Sequence, residues 1–410
     1  MDYNTALNYI YSLDRFGGVA GLERITPVLK YFNNPQNKVK SLHIAGTNGK
    51  GSVAAMLNSC LQAAGYKVGL YISPFIIEFC ERIQINSQFI PKCELSSLTQ
   101  KVKTACEKLN ITLGQFEFIT VVAFLYFSNE KCDYMVLETG LGGRCDATNT
   151  VSKPEVSIIT SISLDHIAIL GDTLFKIATE KAGIIKPSVP VVTARQESDA
   201  LKAISETCKQ KNAPLAIANA PTNIYVDVAS TKFTYGGSGY ATSLIGYHQA
   251  ENAALCIEAL NHLGIDNEYI CKGLESASHP ARLEIISKDP LVVLDGAHNE
   301  GGAKALAEYL KTINFKGTAI VAAMQDKDAK TVARELSPYL NNIIAVSVEG
   351  NLRSLLPRKL AEHFEGVAKV TVAENYEKAL TLAGNSPLLV CGSLYLAADI
   401  RPILLEKYKN

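Results

Sequence analysis

Ser41-Leu-His-Ile-Ala-Gly-Thr-Asn-Gly-Lys-Gly-Ser52 carries a short β-branched and apolar run into a glycine-rich turn, and the helical pattern of residues 53–64 follows at once. A strand that ends in such a turn and opens a helix has the anatomy of a phosphate-binding loop. Gly46, Gly49 and Gly51 let backbone N–H groups crowd around phosphate oxygens, with Thr47 and Asn48 completing the turn. Lys50 adds a positive charge, and Ser52 brings a hydroxyl to the helix N-terminus. The spacing departs from the usual G-x-x-x-x-G-K-[ST], because Gly46 is too close to Gly49 and Gly51 separates Lys50 from Ser52. A variant loop points to a particular subfamily. The alternative, a glycine turn capping an ordinary helix, fits poorly with the strand before it and the lysine inside it.

Outward from this loop, strand-like runs at 41–45, 68–72, 134–137, 156–160 and 189–193 alternate with helical patterns, which predicts a largely parallel sheet. Between Pro214 and Gly246 short alternating segments and the cluster Tyr235-Gly-Gly-Ser-Gly-Tyr240 predict a small antiparallel excursion. Helices return at 248–263 and 267–277 and stop at Ser278-His-Pro280. After Arg282 comes a second series. Strands are expected at 291–294, 318–323, 343–348, 368–372 and 387–391, separated by helices at 301–313, 330–340, 356–364, 376–383 and 393–405. The expectation is therefore α/β in two domains, an N-terminal P-loop domain with a mostly parallel sheet over 1–280 and a smaller Rossmann-like domain over 281–410.

Forty basic residues balance forty acidic ones among 410, so no whole-molecule field attracts nucleic acid or an anionic membrane. Partners are expected to be small molecules. The N-terminus lacks a basic stretch followed by an apolar core, and no uninterrupted apolar run approaches the length of a membrane span. Ten cysteines, with no C-x-x-C pair, predict free buried thiols in a reducing compartment and argue against a zinc site.

Acidic and ionisable residues recur just past predicted strand ends. Glu138 begins Glu138-Thr-Gly-Leu-Gly-Gly-Arg144 and is placed to hold Mg²⁺ beside a phosphate loop. A dinucleotide fingerprint starting at Gly140 is the weaker reading, since its third glycine position is Cys145. Asp165 and His166 follow the next strand, His166 being either a second ligand or a structural histidine. Lys181, in Glu180-Lys-Ala-Gly183, reads as a solvated lysine near a helix C-terminus. Asn252, in the first turn of a helix, has the chemistry to read an adenine edge, and a plain helix start is equally consistent with it. Arg282 has the chemistry to meet a γ-phosphate, and Asp295 to accept from ribose hydroxyls, though taken singly each has an ordinary structural explanation as well.

Taken together, these motifs resemble the folylpolyglutamate synthase and dihydrofolate synthase family, the folate branch of the Mur ligases. The resemblance spans nearly the whole chain. It rests on Gly46 to Ser52, Ser73-Pro74 with Glu81-Arg-Ile83, Phe116-Glu117, Glu138 to Asn149, Asp165-His166, Glu180 to Gly183, His248-Gln-x-x-Asn252, Arg282-Leu-Glu284 and Asp295-Gly-Ala-His-Asn299. It implies ATP as the nucleotide, with two Mg²⁺ ions, K⁺ as an additional activator, and Ser73, Glu138 and His166 as metal ligands. Lys181, on the same resemblance, carries a CO₂-derived carbamate near the second metal. The resemblance also places Asn252, Arg282, Asp295 and His298 at the nucleotide, and assigns catalytic importance to Lys50, His166, Lys181 and Arg282. Gly21, Pro74, Phe75, Arg82, Gln115, Phe116, Glu117, Cys145, Asp146 and Ala147 fall where the family holds its pterin substrate. Phe75, Thr139, Ala281 and Glu300 depart from the usual histidine, valine, glycine and proline, and Phe75 bears on pterin preference.

The implied reaction is ATP-driven amide formation, in which a carboxylate of dihydropteroate or a reduced folate becomes an acyl phosphate and L-glutamate displaces phosphate. A cytoplasmic monomer that closes its two domains over the reactants is the expected form. The rivals are a Mur-type ligase for another acid and amine, and a protein that binds ATP without turning it over.

Overall fold

The computed structural model describes residues 1–14, 21–364 and 368–409. Two compact units are present, one built from 1–220 with 251–277 and the other from 221–250 with 278–410. The division expected at 280/281 differs from this in two respects: residues 221–250 group with the later unit, so the chain passes between units more than once, and the later unit resumes at Ser278.

The first unit is organised by an eight-stranded sheet. Its strands are β1 (Lys40–Ala45), β2 (Val68–Tyr71), β3 (Ile83–Ile85), β4 (Gln88–Phe89), β5 (Tyr134–Glu138), β6 (Val156–Ile159), β7 (Val191–Thr193) and β8 (Leu215–Ile217), in the order β4-β3-β2-β5-β1-β6-β7-β8. All pairings are parallel except those of β3 with β2 and β4. β2, β5, β6 and β7 are buried along their whole length, as parallel strands covered by helices on both faces should be. Register decides what the carboxyl edge holds. Ile44 lies level with Glu138, Ala45 with Ile159, and Tyr71 with Leu137, so the loops leaving β1, β2, β5 and β6 emerge side by side.

In the second unit β12 (Glu284–Lys288), β13 (Leu291–Leu294), β14 (Gly317–Val321), β15 (Leu340–Ala345), β16 (Lys369–Val372) and β17 (Leu388–Cys391) form a sheet ordered β12-β13-β17-β14-β15-β16. It is parallel apart from the edge strand β12, which the sequence reading did not anticipate. The antiparallel excursion is also present as β9 (Thr222–Val226), β10 (Thr231–Tyr235) and β11 (Ser238–Thr242). It starts later than expected, because β8 pairs in parallel with β7.

All ten cysteines are free thiols; seven are buried, Cys145 and Cys271 are half-buried and Cys93 is exposed. Among the described residues no helix is long and apolar enough to cross a membrane.

Candidate active site

The helix after β1 starts at Lys50, three residues earlier than its apolar pattern suggests, with Gly49 as its N-cap at φ +87°. A side chain there would be strained by the left-handed backbone, and its Cβ would come within 2.4 Å of Asn252 Oδ1. The backbone therefore favours glycine, and any larger residue would also displace the Asn252 side chain. Asn252 is the sixth residue of the helix Tyr247–His262, one turn deeper than expected. The loop is tied to the segment after β6: the Thr47 and Asn48 amides donate to Ser161 O at 2.9 and 3.3 Å. The Thr47 hydroxyl donates to Ser163 O and accepts from Ser163 N, each at 3.1 Å. Ser52 is buried in the first turn.

Two lysine side-chain nitrogens converge on this loop. Lys50 Nζ donates to Gly46 O at 3.2 Å and Thr47 O at 3.4 Å, while Lys181 Nζ donates to the same Gly46 O at 2.6 Å. Lys181 is 5% exposed. The reading of a solvated lysine on a helix end is thus overturned, because the helix Leu174–Ala182 turns that face into the protein. Burial, reinforced by the charge of Lys50, lowers its pKa to about 7, with Asp165 and Asp146 opposing. An amine in that range is substantially neutral near pH 7, as reaction with CO₂ requires.

What fixes Lys181 is the packing of its helix end against the loop after β5. Arg144 N donates to Glu180 O at 2.8 Å, and the Arg144 guanidinium pairs with the Glu180 carboxylate at 2.7 Å. Asn149 Nδ2 donates to Arg144 O and to Gly183 O, both at 3.0 Å. Gly183 closes the helix with ordinary right-handed dihedrals, so its lack of a side chain serves space: a Cβ would lie 2.4 Å from Arg144 Cα.

Glu138, 5% exposed at the end of β5, accepts from Ser73 N at 3.0 Å, which brings the two expected metal ligands together. The Ser73–Pro74 peptide is cis. His166, at φ +50°, donates its backbone N–H to Asp165 Oδ1 at 2.8 Å and leaves its ring half-exposed, Nε2 lying 3.9 Å from Asp165 Oδ2. No three His, Cys, Asp or Glu side chains cluster for a metal among the described residues. The donors present are a buried carboxylate, a hydroxyl and an imidazole, with one amine that can become a carbamate. Such an oxygen-rich set fits Mg²⁺ better than zinc.

Several expected substrate residues have structural duties as well. Asp146 is buried and accepts from Gly140 N, Leu141 N, Thr148 N and the Thr148 hydroxyl, at 2.8, 3.0, 3.0 and 2.5 Å. Burial raises its pKa, partly offset by these four donors, the Thr148 hydroxyl foremost. Its hydrogen bonds hold its own loop, with half-buried Cys145 and buried Ala147 on either side. Glu117 caps its own helix through Gly114 N at 2.7 Å and pairs with Arg24 Nε at 3.2 Å. Gln115 N donates to Asp14 O. Phe116 lies under Gly140, where a Cβ would meet the ring at 2.7 Å. The Arg82 guanidinium stands 5.2 Å from the Phe75 ring centre and 5.7 Å from that of Phe79, and Glu81 accepts the Ile76 and Ile77 amides, shaping the loop that Pro74 begins. Gly21, half-buried, precedes the helix Ile25–Tyr31.

Sequence reading missed His43. It lies fully buried in β1, with Nε2 2.8 Å from Thr148 Oγ1, so a chain of contacts runs from β1 through Thr148 to Asp146. Burial, helped by Lys186, drives its pKa down to about 3 and keeps the ring neutral. The only available signal was a histidine in an apolar strand.

In the second unit Asp295 is buried at the end of β13, accepting from Leu283 N and Ala297 N, both at 2.7 Å. With both lobes so engaged, ribose contact is not its first duty. His298 Nδ1 is 2.8 Å from Gly296 O. Arg282 is flanked by Ala281 at φ +56° and Leu283 at φ +47°, a pair of left-handed non-glycine residues costing roughly 1–2 kcal/mol each. A Cβ on Gly296 would lie 3.3 Å from Arg282 Nη1, and the Arg282 charge is among the causes that hold His248 and His279 at about 4 and about 3, behind burial.

The Mur ligase middle domain model matches residues 44–260, and the Mur ligase glutamate ligase domain model matches 281–394. The dihydrofolate synthase/folylpolyglutamate synthase of Bacillus subtilis is 37% identical over 97% of this chain and 98% of its own. The folylpolyglutamate synthase of Mycobacterium tuberculosis, solved with ADP and AMPPCP, superimposes with a TM-score of 0.89 at 27% identity, covering 98% of this chain and 99% of that one. A structure described as an FPGS–AMPPCP–folate complex gives a TM-score of 0.86 at 32% identity over 99% of this chain and all of its own. With a glycine-rich loop after β1, a buried lysine and an acidic strand end in place, the chain belongs to the folylpolyglutamate synthase/dihydrofolate synthase family of Mur-type ligases.

Proposed function

We propose that this protein is an ATP-dependent ligase that joins L-glutamate to reduced folates and to dihydropteroate through an acyl phosphate. The observation that carries the reading is the convergence of Lys50 and Lys181 on the carbonyl of Gly46, beside a buried Glu138. Both activities are proposed because the B. subtilis relative bears both names.

ATP phosphates are held by the backbone amides of Gly46 to Ser52, by Lys50 and by Arg282, with Asn252, Asp295 and His298 serving the nucleoside. Lys50 leaves the loop carbonyls for the phosphates. Ser73, Glu138, His166 and the Lys181 carbamate would hold two Mg²⁺ ions, which when bound neutralise the negative charge that builds up between the reacting anions. K⁺ is an additional activator in this proposal. Lys181 contributes a neutral amine to carbamate formation, losing a proton as the anionic carbamate forms. Gly21, Pro74, Phe75, Arg82, Gln115, Phe116, Glu117, Cys145, Asp146 and Ala147 serve the pterin, Asp146 chiefly by holding the loop. Holding the acid and amine in line supplies most of the remaining acceleration. The working form is a cytoplasmic monomer.

The test is phosphate release from ATP with dihydropteroate or tetrahydrofolate in the presence and absence of glutamate, with product tail length read by mass. Release requiring both a pterin acid and glutamate is expected. Release with another acid, or none at all, would sink the reading. Lys50→Ala is expected to abolish turnover, and near-normal activity in that variant would refute the role of the phosphate loop.

A further inference from the structure

We infer that Arg401 and Glu284, which take no part in the site described above, are positioning residues for Arg282. The inference rests on the proposed contact of Arg282 with the nucleotide. The segment Ala281-Arg282-Leu283 is an unfavourable piece of backbone, since both residues flanking the arginine are non-glycine and left-handed. Such a conformation persists only where its surroundings over-determine it, and here it is held at three main-chain atoms. Ala281 N donates to Glu284 Oε2 at 2.9 Å, Ala281 O accepts from Gly296 N at 2.9 Å, and Leu283 N donates to Asp295 Oδ2 at 2.7 Å. Ala281 and Leu283 are buried, so water does not replace a lost partner easily.

Two of these anchors come from the Asp295 loop, itself tied to β17 through Asp295 N and Val390 O at 2.9 Å. The third, Glu284, is the first residue of the edge strand β12, and its carboxylate needs a partner to hold it against Ala281 N. Arg401 supplies that partner. From the helix Leu394–Lys407 its guanidinium grips both Glu284 oxygens, with Nε at 3.0 and 2.9 Å and Nη2 at 2.7 Å. The pair is about four-fifths buried on both sides, where fork-on-fork geometry is directional and weakly screened. Arg401 thus orients Glu284, Glu284 holds Ala281 N, and the turn presents the Arg282 guanidinium over Gly296.

The experiment measures AMPPCP affinity by calorimetry and ATP KM in the full-length protein for R401Q, R401K, R282A and the R282A/R401Q pair. R401Q is expected to weaken AMPPCP about tenfold, R401K by less than about threefold, and R282A by at least as much as R401Q. In the R282A background R401Q should add less than about twofold, because its route to the nucleotide is already gone. Equal factors in both backgrounds would overturn the inference while leaving the role of Arg282 intact. Wild-type affinity in R282A would instead remove Arg282 from the nucleotide, and the inference with it. Should R401Q fail to fold, E284Q enters the same cycle with the same expectations and the same refutation.

Discussion

Replacing Lys181 with methionine tests the most unusual electrostatic feature of the site. In the folded protein the Lys181 pKa is about 7, against 10.5 for an ordinary lysine. Between those values the unfolded chain binds a proton that the folded one does not, so the stability contributed at this position rises with pH through that window. Below pH 7 both states are protonated and the full cost of burying the cation applies, about 5 kcal/mol for the 3.5-unit difference at 1.36 kcal/mol per unit. The linkage relation leaves about 2–3 kcal/mol of that cost to be relieved between pH 6 and pH 9. Methionine has a similar length and does not titrate. Denaturant unfolding of the nucleotide-free protein and of Lys181→Met, in Mg²⁺-free and CO₂-free buffer, should show the variant clearly more stable at pH 6. Its advantage should shrink by about 2–3 kcal/mol at pH 9. An advantage constant within about 0.5 kcal/mol across that range would show that the amine is not desolvated, and the reasoning that links burial to carbamate chemistry would fall with it.

Gly49→Ala should raise the ATP KM at least tenfold, since it combines a left-handed alanine at about 1–2 kcal/mol with a Cβ pressed on Asn252 Oδ1; an unchanged KM would show that the loop has room. Asp146→Asn faces amide hydrogens toward two of its four donors and should cost about 2–4 kcal/mol in denaturant unfolding, with a loss under about 0.5 kcal/mol counting against the loop-holding role. His43, at about 3, should stay neutral from pH 5 to 8 in imidazole NMR shifts, and a midpoint above pH 5 would contradict its burial beside Lys186.

The glycine-rich turn after β1, the parallel order of its sheet and the presence of a second α/β series were legible in the sequence because they follow from local physics. A strand buried on both faces is apolar throughout, a tight turn at positive φ selects glycine, and a helix N-terminus favours anions. Hence 41–52 could be read directly, and so could Glu138 past a strand end. Other residues looked ordinary because their environment comes from distant parts of the chain. Lys181 reads as a surface lysine until Arg144, Asn149 and Gly183 turn its helix end inward, and only then does burial move its pKa. His43 gains meaning from Thr148, 105 residues away, and Glu284 from Arg401, 117 residues away. Likewise Asp146 could be placed near a substrate by resemblance, yet its lone pairs are committed to four donors of its own loop. The sequence by itself determined which chemical groups are available and which elements carry them. Tertiary structure decided their charge state and orientation, since desolvation and hydrogen-bond geometry depend on neighbours that no local pattern specifies.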